Sequence, residues 1–359
     1  MSGKYVLSGM PLGELEETLA PLPRFRAVQI FKWISAGVSS FSQMNNLPLQ
    51  LREELPSRFI LRPDAADAIF YGTDGTVKLV LKFANTGGIS KDAGNILSDA
   101  EIEAVLLTDN SGRKTACLST QAGCPSGCVF CKTGSMGFLR NLDSGEIVEQ
   151  FLRLKDIAEK LSNIVFMGMG EPLLNLRELR RAIGVITCDK GLRFSKRRIT
   201  VSTCGIAEGI KNLADNGPDV RLALSLVTAD EVLRQRLMPV TANQPLHKVK
   251  EALLHFQNRG GGRVTLEIVL LGGINTGKKD AAAIVVFAQG LDATVNLIPW
   301  NPVEGLEFEG RALREPAQDE ITAFTGRLEE AGLKVTRRFR RGRGVTGACG
   351  QLGRNVCLK

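Results

Sequence analysis

No run of eighteen or more apolar residues occurs in this 359-residue chain, which excludes an ordinary membrane-spanning helix. Its first residues, Met1-Ser2-Gly3-Lys4-Tyr5-Val6-Leu7, lack the apolar block ending in small residues that marks a signal peptide. A cytoplasmic protein without a membrane partner is expected. Histidine is scarce: His247 and His255 lie on one predicted helix, at a spacing that does not suit a ligand pair. A second Cys-x-x-Cys pair is also missing, and structural zinc sites usually close with two such pairs. Eight cysteines, three of them within eight positions, make a poor disulfide framework and a good metal site in a reducing compartment.

What the chain does have is Gln121-Ala122-Gly123-Cys124-Pro125-Ser126-Gly127-Cys128-Val129-Phe130-Cys131. Glycine and proline let this loop wrap, so that three thiolates converge on one inorganic centre. Thiolates select iron-sulfur clusters, zinc or cuprous copper. A 4Fe-4S cluster normally takes four cysteines. Three leave one iron open for a small molecule, the arrangement found where S-adenosylmethionine (SAM) binds a cluster.

Lysine and arginine number 46 against 38 acidic residues, a net charge of +8. The excess gathers at Ser195-Lys196-Arg197-Arg198 and at Lys334, Arg337, Arg338, Arg340, Arg341 and Arg343. Such clusters suit a polyanion, with RNA or DNA the first candidate, although charge alone equally describes a solvated face.

Along the chain, residues 1–65 read as a small helical accessory domain, with Val28, Ile30, Phe31 and Ile34 near one stripe. Residues 66–112 read as a linking β-ribbon. Val77, Leu79, Leu81 and Phe83 alternate after an Asp74-Gly75 turn, and 101–107 pairs with 114–119. From 113 to 335 strands alternate with amphipathic helices, beginning with a capping box at Asp143 and Glu146. Six such units imply an α/β fold with a parallel sheet, a partial (β/α)6 barrel whose working face is the C-terminal end of its strands. Residues 336–359 form a C-terminal loop and tail. Gly168-Met169-Gly170-Glu171-Pro172 follows the second strand, where bare backbone lets a ligand approach and a carboxylate meets a cation. Ser202 and Asn301 offer hydrogen bonds there, or are simply a strand-end serine and a turn asparagine.

The cysteine loop, Gly-Phe-Leu-Arg-Asn-Leu (137–142), Met-Gly-Met-Gly-Glu-Pro-Leu-Leu-Asn (167–175), Ser-Lys-Arg-Arg-Ile-Thr (195–200), Asn-Leu-Ile-Pro-Trp-Asn-Pro (296–302) and Ala-Cys-Gly-Gln-Leu (348–352) together resemble the RlmN/Cfr family of radical-SAM RNA methyltransferases. So does Arg26 to Ile34, and the likeness runs the length of the chain in order. It implies a 4Fe-4S cluster on Cys124, Cys128 and Cys131, with SAM held by Gly170, Glu171, Ser202, Ser225, Leu226, Val227 and Asn301. It further implies methylation of an sp2 carbon of adenine through a methylated cysteine, matched by Cys349. Glu103 matches the family's base. Cys117 matches the thiol that releases product by forming a disulfide with Cys349.

Without the family, Cys117 reads as a buried strand cysteine, and Glu101 stands beside Glu103 as a second carboxylate. Cys188 and Cys204 read as packing residues and Cys357 as an incidental thiol. The family's Ser-Leu-His is here Ser225-Leu226-Val227, and its Ser-Thr-Ser-Gly is Ser202-Thr203-Cys204-Gly205. Both changes touch SAM binding, not the reaction class. The implied substrates are adenosine 2503 of 23S rRNA, at carbon 2, and adenosine 37 of tRNAs. Carbon-8 methylation, or an iron-sulfur RNA-binding protein without methyl transfer, are the alternatives. A monomer reduced by flavodoxin or ferredoxin is expected.

Overall fold

The computed structural model describes residues 4–83, 99–337 and 341–353. Arg338, Arg340 and Cys357, all singled out above, lie outside the described residues. Ten strands form one sheet: β1 (Ala65–Tyr71), β2 (Val77–Phe83), β3 (Ala100–Thr108), β4 (Lys114–Cys117), β5 (Asn163–Phe166), β6 (Ile199–Thr203), β7 (Arg221–Ser225), β8 (Val264–Leu270), β9 (Ala293–Pro299) and β10 (Val335–Arg337). Every strand neighbours its sequence neighbours. From β1 to β4 the pairing is antiparallel, and from β4 to β10 it is parallel.

The partial barrel expected from six βα units is therefore present, and the short β10 follows its sixth helix. That strand lies in the segment read as a basic cluster, and the expected end of the barrel at residue 335 falls inside it. The hairpin turn forms as its sequence suggests: Asp74 Oδ1 accepts from the Thr76 amide at 3.1 Å. Asp143 likewise caps the helix Ser144–Ala158, accepting from the Glu146 amide at 2.8 Å while Glu146 accepts from the Asp143 amide at 3.0 Å. Arg140 reinforces this start with two hydrogen bonds of 2.7 Å to Glu146.

The helices Arg24–Ala36 and Leu49–Arg58 form in the N-terminal region. Ala27, Ile30, Phe31 and Ile34 are buried, while Val28 sits at the edge of the stripe. These residues belong to the same apolar cluster as the barrel interior. Ser144 Oγ donates to the Gly9 carbonyl at 2.8 Å, and Arg181 meets Glu14 at 2.6 Å. Among the described residues, no helix is long and apolar enough to cross a membrane.

The alternation expected in β2 fails in one respect. Lys78 and Val80, predicted to face outward, are 2% and 6% exposed. Their face is covered from beyond the barrel, by the chain around Thr346 and Gly353.

Candidate active site

The cysteine loop is held by its own flanks. Gln121–Gly123 pairs antiparallel with Phe138–Asn141, closing a hairpin around the thiols. Gly123 has φ +72, and a Cβ there would lie 2.0 Å from the Gly137 carbonyl oxygen. No other residue fits without moving that strand. Inside the hairpin the Cys124 amide donates to the Gly137 carbonyl at 2.8 Å and the Cys131 amide to the Cys128 carbonyl at 3.1 Å. Trp300 Nε1 donates to the Phe130 carbonyl at 2.8 Å, tying the loop to the end of β9.

One cavity at the C-terminal end of the parallel strands is lined by Cys124, Cys128 and Cys131, and by Cys349 from the far end of the chain. Gly170, Glu171, Ser202, Ser225, Val227 and Asn301 also line it. Leu226 does not; it is fully buried in the core. Cys204, read above as packing, shares this wall, with Sγ 3.8 Å from Ser126 Oγ. Its place after strand β6 was the signal. Val227 stands at φ +62, a left-handed conformation rare for a β-branched residue. Backbone strain of this kind gathers at ligand sites.

Glu171 is 3% exposed, with both carboxylate oxygens engaged. Oε1 accepts from the Leu173 amide at 3.0 Å and Oε2 from the Cys204 amide at 2.7 Å. Burial nevertheless pushes its pKa up, and a cation placed in the cavity would oppose that shift by favouring the charged carboxylate. Gly170, at φ +102, brings the backbone against Gln121, whose Oε1 accepts from the Glu171 amide at 2.8 Å.

The segment carrying Cys349 closes the cavity from above. Lys132 donates its amide to the Gly350 carbonyl at 2.8 Å, Thr133 Oγ1 donates to the Leu352 carbonyl at 2.5 Å, and Asn301 Nδ2 donates to the Cys349 carbonyl at 3.1 Å. Glu103, on β3, is 3% exposed, and Lys78 Nζ lies 3.3 Å from its Oε1. Glu101, two residues earlier, is near the surface and pairs instead with Lys82 at 3.3 Å. Cys117 ends β4, 7% exposed, opposite Val105 of β3. No disulfide joins any of the seven described cysteines, so the Cys117–Cys349 bond implied by the resemblance is not formed here. Neither histidine reaches this site: His255 pairs with Asp215 at 2.8 Å, and His247 is exposed.

Residues 118–283 match the Radical SAM superfamily, and residues 7–61 match the ribosomal RNA large subunit methyltransferase N-terminal domain. A probable dual-specificity RNA methyltransferase RlmN of Treponema denticola is 48% identical over 350 residues, covering 98% of this chain and 96% of its own. Its counterpart in Thermus thermophilus is 38% identical over 351 residues, 96% of this chain and 94% of its own. The chain belongs to the RlmN family of radical-SAM RNA methyltransferases. A crystal structure of a radical SAM methyltransferase from Sphaerobacter thermophilus matches with TM-score 0.87 and 35% identity, over 97% of this chain and 99% of that one.

RlmN proteins, as members of the radical SAM superfamily, use a 4Fe-4S cluster and SAM. The donor set fits the cluster. Burial pushes the Cys131 thiol up to about 11 and the Cys128 thiol well above its ordinary value, where neighbouring Cys131 and Cys124 add repulsion. Thiols held above their ordinary pKa in this way become thiolates when a positive centre compensates them, and iron does so. Among the described residues no three acidic, cysteine or histidine side chains are gathered tightly enough for a single ion. The fit therefore rests on three thiols lining one cavity, a donor set that a multi-iron centre could share.

Proposed function

We propose that this protein methylates carbon 2 of adenosine 2503 in 23S rRNA, and adenosine 37 in tRNAs, through a methylated Cys349 and two molecules of SAM. The observation that carries this reading is that Cys349, remote in sequence, lines the same cavity as Cys124, Cys128 and Cys131. A merely electron-carrying or RNA-binding protein has no use for a fourth, arm-borne sulfur there.

When bound, the cluster and SAM supply a carbon radical able to take hydrogen from a methyl group. The protein's own residues do the rest. Glu171 meets the amino end of SAM, while Gly170 lets it approach and Ser202, Ser225, Val227 and Asn301 bound its place. Cys349 carries the methyl carbon from SAM to the base. Glu103 accepts the proton of adenine carbon 2, for which Glu101, half-buried and paired with Lys82, is poorly placed. The Cys117 thiolate then attacks the Cys349 sulfur, forming a disulfide that an external thiol must reduce and breaking the bond to the transferred carbon, which leaves with the electron pair and takes up a proton to become the methyl group. A cytoplasmic monomer reduced by flavodoxin or ferredoxin completes the reading.

Nucleoside mass spectrometry of RNA from cells with and without the gene is the test. Loss of 2-methyladenosine is expected; loss of 8-methyladenosine instead would transfer the same machinery to carbon 8. Unchanged methyladenosines would leave the non-methylating alternative.

A further inference from the structure

Lys78 is among the largest fully buried side chains of the protein, 2% exposed at a position that the strand's alternation assigns to the outer face. Its Nζ lies 3.3 Å from Glu103 Oε1, donates to Thr346 Oγ1 at 2.8 Å and sits 5.6 Å from the centre of the Phe70 ring. The other oxygen of the same carboxylate, Oε2, accepts from the Gly353 amide at 3.0 Å. One ion pair thus holds the C-terminal segment on both sides of Cys349. Stability does not explain the pair, because replacing a buried ion pair by apolar residues is often neutral or stabilising. Function does, if the carboxylate must be ionised, immobile and open at one oxygen.

We propose that Lys78 is the positioning residue of Glu103: it fixes Oε1, so that Oε2 faces the substrate once the Gly353 amide withdraws. In the docked state that amide occupies the lone pair that has to receive the proton. Lys78 does not line the cavity, and it acts on the reaction only through Glu103. This inference rests on the roles given above to Glu103 and Cys349.

The experiment uses full-length protein loaded anaerobically with iron and sulfide, SAM, a reductant and an rRNA fragment containing the target adenosine. Three quantities are read: methyl on Cys349, the covalent protein–RNA adduct on denaturing gels, and released methyladenosine. Lys78→Met is expected to methylate Cys349 at near wild-type levels and to accumulate the adduct above the wild-type level, yet release product on the order of a hundredfold more slowly, the lower range of what a positioned base contributes. Lys78→Arg should recover at least about a tenth of the wild-type release rate, since the charge returns with altered reach. In case Lys78→Met folds poorly with Glu103 left uncompensated, Glu103→Gln is compared with the neutral Lys78→Met/Glu103→Gln pair. The double variant should release product no more slowly than Glu103→Gln alone, because Lys78 has nothing left to position.

Release by Lys78→Met within about threefold of wild type would overturn the proposal, as would losses of Cys349 methylation and product in equal proportion. Additive losses in the double variant would also overturn it. Cys117→Ala separates the two levels of inference. If it traps adduct and Lys78→Met does not, the positioning role fails while the two-cysteine reading stands; if it methylates RNA freely without adduct, both fall.

Discussion

The cavity has two walls of opposite construction. The cysteine loop is a closed hairpin, strand-paired on both flanks, with Gly123 and Gly134 pressed against neighbouring backbone. The arm from Arg341 to Gly353 has one short turn, Arg343–Val345, and otherwise hangs on separate hydrogen bonds: Asp74 Oδ2 to the Gly342 amide at 2.7 Å, Lys78 to Thr346, Glu103 to Gly353 and Gln351 Nε2 to the Pro302 carbonyl at 2.8 Å. Continuous strand pairing fixes a segment in one geometry; isolated hydrogen bonds, the backbone one from Lys132 to Gly350 included, let a segment leave and return. The proposed function asks for such a difference, between a loop that would hold the cluster and an arm that would carry the carbon.

The largest effects should separate the two walls outright. Cys124→Ala is expected to lose cluster iron and sulfide together with all activity. Cys349→Ala should keep both and still yield no detectable methylated RNA, read by metal analysis beside nucleoside mass spectrometry. A Cys349→Ala protein with normal product would abolish the distinction between holder and carrier.

A second contrast uses backbone alone. Gly123→Ala places a methyl 2.0 Å from the Gly137 carbonyl oxygen at a left-handed residue, and we expect a loss of roughly 2–4 kcal/mol with reduced iron uptake. Gly342→Ala changes a residue that is also left-handed, at φ +79, but its methyl meets the Gly347 carbonyl carbon only at 3.0 Å, so a smaller loss of about 1–2 kcal/mol with normal iron content is expected. Equal costs in urea unfolding would mean that the arm is as fixed as the loop.

How far the sequence could anticipate these walls depends on the range of the interaction. The Asp74-Gly75 turn, the Asp143–Glu146 capping box and the spacing of Cys124, Cys128 and Cys131 are local devices, legible because their partners lie within a few residues. Burial of Lys78 was not legible, since Thr346 and Gly353 are supplied from the other end of the chain. The same holds for Trp300 against the Phe130 carbonyl and for β10, whose pairing with β9 uses residues that read as surface charge. Cys204 looked like core and is indeed part of it, yet it is also on the cavity wall.

Charge on the arm gives a smaller effect. Arg337 is exposed, and Arg341 reaches Asn110 at the rim of the sheet. Neutralising both to glutamine should weaken RNA binding and lower the slope of log affinity against log salt by about 2, one for each phosphate left without its arginine. An unchanged slope would place the RNA elsewhere.

The smallest expected effect lies one step behind the arm. Arg343 pairs with Glu315 at 2.6 Å, and adjacent Arg314 is clamped by Glu320 through hydrogen bonds of 2.7 and 2.9 Å. The Arg314 guanidinium holds the Glu320 carboxyl down to about 2, from an ordinary value of 4.5. A depressed carboxylate stabilises the folded state above its unfolded pKa and loses that contribution as pH falls towards the folded one. Because the pair is open to solvent, screening keeps the contribution under about 1 kcal/mol. Glu320→Gln should therefore lower Tm by about 1 °C at pH 7, with the gap to wild type closing between roughly pH 4.5 and pH 2. A gap that persists undiminished in acid would show that Glu320 supports the arm through its backbone hydrogen bonds, to the Gly273 and Ala317 amides, more than through charge.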